Sequence, residues 1–203
     1  MTQQRALLLN VDDHAVGRYG KTRILSEAGF EVIEAGTGEQ ALELVRTRRP
    51  QLVLLDIQLP DVDGIEVCRR IRSDPASQRI PVLHISATYE ATQIETVSLE
   101  SGADIFLAEP VEPLELITVV RTLLRLRTTE IGLAESEERM RLATEGAGIA
   151  TWDIDLRTGA AHWNRQSYLM LGYQPNGHAT WEMWRSRVHA DDVDGLMVAM
   201  EEA

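Results

Sequence analysis

The sequence predicts a doubly wound α/β fold, (βα)5 with a parallel sheet, over about its first 127 residues. Three observations carry this. The runs Ala6–Val11, Leu52–Ile57 and Pro81–Ser86 are short and nearly all apolar, as strands buried on both faces must be. Helical patterns lie between them. Gly29, Pro50, Pro75, Gly102 and Pro113 punctuate the alternation.

Ala6–Val11 is the first strand. The helix after it closes at Gly29, where a left-handed backbone suits glycine. Glu31–Ala35 is the second strand. Thr37-Gly38-Glu39-Gln40 opens the second helix with capping-box spacing, and that helix stops before Pro50. Leu52–Ile57 is the third strand, followed by a helix from about Gly64 to Asp74. Pro81–Ser86 is the fourth strand, and its helix ends near Gly102. Ile105–Ala108 is the fifth, with the last helix beginning near Pro113. Such alternation implies right-handed crossovers and helices on both faces of the sheet. In open sheets of this kind, sites form outside the carboxyl ends of strands where strand order reverses, a rule drawn in part from proteins of this same fold.

The fifth helix has no evident stop. Between Leu114 and about Ala147 there is no proline, and Gly132 and Gly146 are the only glycines. Val119, Leu126, Leu133 and Met140 recur every seven residues, and Leu116 and Leu123 complete an a/d pattern for two heptads. Glu130 and Glu137 then interrupt it. A parallel homodimer contact through this helix is the functional expectation. The alternative is a helix packed on its own domain that continues as a solvated linker.

Composition limits the function. The 203 residues allow one large domain or two small ones. A net charge of −12 repels nucleic acid, for which a basic patch is expected. No run approaches the ~18 apolar residues of a membrane span, and Met1 to Arg5 lead directly into a strand-like run, so no signal peptide is expected. The single cysteine, Cys68, rules out an internal disulfide, so a cytoplasmic location and a half-buried packing role for Cys68 are expected. Lys21 is the only lysine.

Four strand ends carry the chemistry. Val11-Asp12-Asp13 and Leu54-Leu55-Asp56 bring three carboxylates together; His84-Ile85-Ser86 adds a hydroxyl; Leu107-Ala108-Glu109-Pro110 adds a fourth carboxylate. Clustered carboxylates repel unless a cation lies among them. Mg²⁺ suits such a site, since it prefers hard oxygen ligands and keeps waters and phosphate oxygens in its shell. Asp56 could then attack a phosphoryl group and hold it as an acyl phosphate.

These residues resemble the receiver domain of two-component response regulators, over roughly residues 5–127. The matching stretches are Val11-Asp12-Asp13, the run from Asp56 to Gly64, Ile85-Ser86-Ala87, Gly102-Ala103-Asp104 and Glu109-Pro110. The resemblance implies a flavodoxin-like (βα)5 fold, with Asp56 as phosphoacceptor and a sensor histidine kinase or phosphotransfer protein as donor. It implies that Asp13, Asp12 through water, Asp56 and the main-chain carbonyl of Gln58 hold Mg²⁺. Ser86 and Phe106 fall at the switch positions. Such a domain is a regulatory phosphoacceptor, not an enzyme.

Glu109 departs from the pattern, because the family places a lysine directly before the proline. A unit charge ~4 Å away is worth ~4 kcal/mol at an effective dielectric near 20, so sign reversal could swing the site by up to ~8 kcal/mol. No obvious substitute cation is apparent; Arg18, one turn after the acidic pair, is conceivable. The domain is therefore expected to be a weakly working receiver, a receiver whose cation comes from a partner, or a pseudo-receiver that signals without phosphate.

Residues from about 136 resemble the start of a PAS sensor domain. The stretches are Ser136-Glu137-Glu138-Arg139, Gly148-Ile149-Ala150-Thr151-Trp152-Asp153, Leu171-Gly172-Tyr173 and Val188-His189-Ala190-Asp191-Asp192. The expected organisation is a receiver over 1–127, a signalling helix over 114–147, and the N-terminal part of a truncated, incomplete α+β PAS domain over 148–203. Ile149–Leu156 and Ala160–Trp163 are its candidate hairpin. Its ligand is unspecified: His162, His178 and His189 lack ligand spacing, and a flavin–cysteine photosensor is disfavoured because Cys68 lies in the receiver. Trp152 and Trp163 are expected in its core, and Asp191 or Asp192 near the N-cap of its last helix.

Two other classes stand beside this reading. A small-molecule enzyme on the same fold needs a glycine-rich phosphate loop after the first strand, and Asp12-Asp13-His14 is the opposite. An N-terminal fragment of a hybrid histidine kinase or a cyclic-dinucleotide enzyme is a further alternative that the residues do not exclude.

Overall fold

The computed structural model describes residues 5–86, 96, 98–155, 158, 160–175, 178–193 and 195. The chain divides into two compact units, Met1–Glu130 and Ile131–Ala203.

The first unit contains strands β1 (Leu7–Val11), β2 (Glu31–Ala35), β3 (Leu52–Asp56), β4 (Val82–Ser86) and β5 (Ile105–Ala108). They form one sheet in the order β2-β1-β3-β4-β5, and every pairing is parallel. The helices are α1 (Ala15–Glu27), α2 (Gly38–Arg48), α3 (Gly64–Ser73) and the long α4 (Pro113–Gly146). Between Ser86 and β5, Ser98–Glu100 are helical, and residues 87–95 lie outside the described residues.

The period-two alternation of the strands divides the core in two. Leu9, Val11, Val53 and Leu55 face Ala41, Val45, Val67 and Ile71 of α2 and α3. Leu8, Leu52, Leu54, Leu83 and Ile85 face Leu25 of α1 and Leu116, Val120 and Leu123 of α4. Each such buried aliphatic side chain contributes about 1.5–3 kcal/mol. Cys68 is fully buried in the first cluster, deeper than expected, because it lies on the inward stripe of α3 with Ile65 and Ile71.

Local chemistry sets the helix ends. Gly29 (φ 98°) closes α1: its N–H donates to the Ser26 carbonyl (3.0 Å) and that of Phe30 to Leu25 (3.1 Å), a Schellman pairing. Thr37 caps α2, its hydroxyl accepting from the Gln40 N–H (3.2 Å), but the Gln40 side chain accepts from Gly36 N–H (2.9 Å), one residue before the cap. Asp61 adds a second cap from the loop after β3. Its carboxylate accepts from the N–H groups of Gly38 (2.8 Å) and Glu39 (3.0 Å), which hold its pKa down at about 2. Asp61→Ala is expected to lower the melting temperature and speed amide exchange at Gly38 and Glu39. Because the folded pKa is depressed, the contribution is present above pH ~4 and fades as the pH falls toward 2.

The first two heptads of α4 do not form a free seam. Leu116 and Leu123 are buried and Val119 packs partly against the same cluster, all within their own unit. The amphipathic stripe that reads as a coiled-coil start is the stripe that covers the sheet. Leu126, Leu133 and Met140 are exposed.

The second unit contains an antiparallel hairpin, β6 (Trp152–Ile154) with β7 (Ala161–Trp163), then α5 (Arg165–Met170) and α6 (Trp181–Arg185). Asn164 caps α5 through Ser167 N–H (2.9 Å) and donates to the Ile149 carbonyl (2.8 Å), tying the helix to the hairpin's lead-in. Trp163 packs between Tyr168 and Tyr173, with centroids at 5.2 and 6.2 Å. Trp152 is 57% exposed, contrary to the core expectation: it pairs with Trp163 across the hairpin, but a two-stranded hairpin offers it little further surface to pack on. The helix after Val188 begins at Ala190, and His189 rather than an aspartate precedes it, its Nδ1 accepting from Asp191 N–H (3.4 Å). No helix among the described residues is long and apolar enough to cross a membrane.

Candidate functional site

The carboxyl ends of β1 and β3 are adjacent, and the strand order reverses around β1. Asp12 and Asp13 follow β1, and Asp56 ends β3. Asp12 is buried, Asp56 half-buried and Asp13 exposed, and ligand oxygens of all three lie within 4.8 Å of one another. This is the one group among the described residues that could hold a metal ion in this way. Three hard oxygen donors with one side open fit a Mg²⁺ ion that retains waters.

The Asp12 and Asp56 carboxylates are held by backbone groups. Asp12 Oδ1 accepts from the His14 N–H (2.7 Å), and the backbone N–H of Asp12 donates to Ala35 (3.1 Å). Asp56 Oδ1 accepts from the Gln58 N–H (3.2 Å). Gly64 lets the loop after β3 fold back, donating to the Ile57 carbonyl (2.9 Å) where a side chain would strike the Asp56 backbone. Burial pushes the Asp56 pKa up to about 6, and the charges of Asp12 and Glu109 add to this. The Gln58 N–H and Lys21 oppose them.

Ser86 is buried at the end of β4, and Phe106 is half-buried on β5 opposite His84 in register. The Glu109 N–H donates to the Ser86 carbonyl (2.9 Å), which places Glu109 beside the site. The Glu109–Pro110 peptide is cis. His84 is buried next to β3 with Nδ1 2.5 Å from Ser98 Oγ, and burial lowers its pKa to about 4, so it is neutral at pH 7.

The expectation that no cation replaces the missing lysine is corrected here. The Lys21 ammonium lies 2.7 Å from Asp12 Oδ2 and 2.7 Å from Glu109 Oε1. Burial disfavours its charge, but the hydrogen bonds it donates to Asp12 and Glu109, and their attraction, outweigh this and raise its pKa. Arg18, the conceivable candidate, is engaged elsewhere: Nη1 donates to the Asp12 carbonyl (2.5 Å) and Nε pairs with Glu34 (3.3 Å). Asn10, buried in β1, fixes α1 by donating to the Arg18 carbonyl (2.9 Å) and Thr22 Oγ1 (3.0 Å). The signal for Lys21 was Gly17, one helical turn earlier, whose bare Cα lets α1 approach the Asp12 carboxylate.

The model of the response regulator receiver domain matches residues 8–121, more than half of the chain. The chain belongs to the response regulator receiver family. The receiver is 39% identical over 130 residues to the DNA-binding response regulator MtrA of Mycobacterium tuberculosis, covering 64% of this chain and 55% of that one. It is 39% identical over 120 residues to the transcriptional regulatory protein AfsQ1 of Streptomyces coelicolor, covering 59% and 51%. The chain thus spans about half the length of the curated relatives it matches. Among solved structures, a response regulator from Chloroflexus aurantiacus superposes with TM-score 0.58 at 33% identity, over 60% of this chain and 99% of that one. A receiver domain is a regulatory, non-catalytic module, and this one carries the acidic cluster of two-component signalling.

Proposed function

We propose that this receiver accepts a phosphoryl group on Asp56 from a sensor histidine kinase or phosphotransfer protein. The convergence of Asp12, Asp13 and Asp56 within 4.8 Å carries the reading. An Asp56 carboxylate oxygen forms the new bond to phosphorus while the donor's P–N bond breaks. The bonding pair leaves with the donor imidazole, and the product is an acyl phosphate. Mg²⁺, when bound, neutralises charge on the transferred oxygens. Asp12, Asp13, Asp56 and the Gln58 carbonyl are its proposed ligands, and Ser86 and Phe106 the residues that respond to the phosphoryl group.

The output side of the proposal is that α4 relays this state to a PAS domain over 148–203. The hairpin, Asn164 cap and aromatic cluster support that assignment. The net charge of −12 favours protein partners over nucleic acid, and the exposed Leu126, Leu133 and Met140 are the residues left for a homodimer contact. Glu109 favours a second reading, a pseudo-receiver that regulates partners without phosphate.

Acetyl phosphate with Mg²⁺, followed by intact-mass measurement, separates the two. The expected result is a gain of one phosphoryl group in the wild type and none in Asp56→Ala. An unchanged wild-type mass supports the pseudo-receiver.

A further inference from the structure

We propose that Lys21, carried by α1, is the cation that meets the phosphoryl group on Asp56, and that Glu109 is its anchor. This rests on the phosphoacceptor reading above. Four carboxylates, Asp12, Asp13, Asp56 and Glu109, act on this site, and a phosphoryl group adds further negative charge. Such a group is stable there only if positive charge faces it. Of the basic side chains described around the cluster, Arg18 is committed to the Asp12 carbonyl and Glu34, whereas the Lys21 ammonium is inside the cluster.

The geometry suits exchange. An ammonium has three N–H donors, and the 2.7 Å contacts to Asp12 and Glu109 occupy two. The Lys21 side chain is 12% exposed, so its contacts are little screened, and it already acts on the Asp56 charge. A four-carbon stem lets Nζ shift while the helix stays fixed. In the phosphorylated state Nζ exchanges Asp12 for a phosphoryl oxygen and keeps Glu109. Without that ion pair, the Asp12 carboxylate would be free to hold Mg²⁺ when it is bound. Glu109 is thus not simply a lost cation: it positions one that arrives from another element.

The test is the rate of adduct formation from acetyl phosphate and Mg²⁺, by intact mass, in wild type, Lys21→Met and the double variant K21M/E109K. Lys21→Met is expected to react about 10- to 100-fold more slowly, the usual effect of losing one charge-stabilising donor. K21M/E109K, with its ammonium supplied from the end of β5, is expected to recover most of the rate. A merely structural role for Lys21 gives no recovery. Lys21→Met reacting at the wild-type rate overturns the proposal while leaving Asp56 as phosphoacceptor. So does a double variant that is folded by circular dichroism yet no faster than Lys21→Met. If Lys21→Met does not fold, the double variant decides: a rate near wild type supports the proposal and a folded but inert protein overturns it. A wild type that binds Mn²⁺ by electron paramagnetic resonance yet gains no phosphoryl mass overturns the phosphoacceptor reading, and this role with it.

Discussion

Gly64→Ala is expected to cost about 3 kcal/mol or more, read as a lowered denaturant midpoint with unchanged slope. A Cβ at this position would lie 2.1 Å from the Asp56 carbonyl oxygen and 2.9 Å from Ile57 Cα. Both are backbone atoms, so no side chain can swing away. The loop must move instead, losing the Gly64 N–H bond to Ile57 and displacing the Gln58 N–H from Asp56. The site should therefore suffer with the fold. Gly20→Ala is the internal control. Gly20 lies within α1 with nothing within 4 Å of an added Cβ, so alanine there should stabilise by about 0.5–1 kcal/mol.

Asp56→Asn should stabilise the protein at pH 7 without divalent cations while abolishing phosphorylation. The folded pKa of Asp56 is about 6, above its ordinary value of 3.8, chiefly through burial. Between those two pH values the folded state binds more protons than the unfolded state, so the wild type loses stability as the pH rises through that window. Asparagine carries no such penalty. The rise from 3.8 to about 6 converts to about 3 kcal/mol, and solvent screening of this half-exposed group reduces that to on the order of 1–2 kcal/mol. The difference between the proteins should vanish near pH 4. Mg²⁺ should raise the wild-type melting temperature more than that of Asp56→Asn, since binding to the folded state alone adds stability. Paired thermal melts across pH 4–8, with and without Mg²⁺, check both arms.

Most of the first unit was legible because its central strands β1, β3 and β4 are buried on both faces. Their apolar runs located these three to within a residue, and the alternation with helical patterns located the edge strands β2 and β5 at their observed limits. Asp12, Asp13, Asp56 and Ser86 were legible for the same reason: they are polar groups directly ending such runs. Lys21 was not. Its role depends on the path of α1 over the strand ends and on the reach of a long side chain to a residue 88 positions away. Asp61 was hidden likewise, since a loop aspartate shows no sign in sequence of capping a helix 23 residues earlier. The α4 heptads were ambiguous because a stripe that packs on a sheet and a stripe that packs on a second helix share one periodicity. Trp152 misled because tryptophan marks a core only where a second layer covers it.

Asp56, within the Asp12–Asp13–Lys21–Glu109 cluster, is the proposed carrier of the phosphoryl group. Borohydride reduction after treatment with acetyl phosphate and Mg²⁺ converts an aspartyl phosphate to homoserine, which peptide mass spectrometry can place. Homoserine is expected at position 56 and nowhere else, dependent on Mg²⁺. An unreduced Asp56 in protein that has gained phosphoryl mass, or the modification at Asp12 or Asp13, would contradict it.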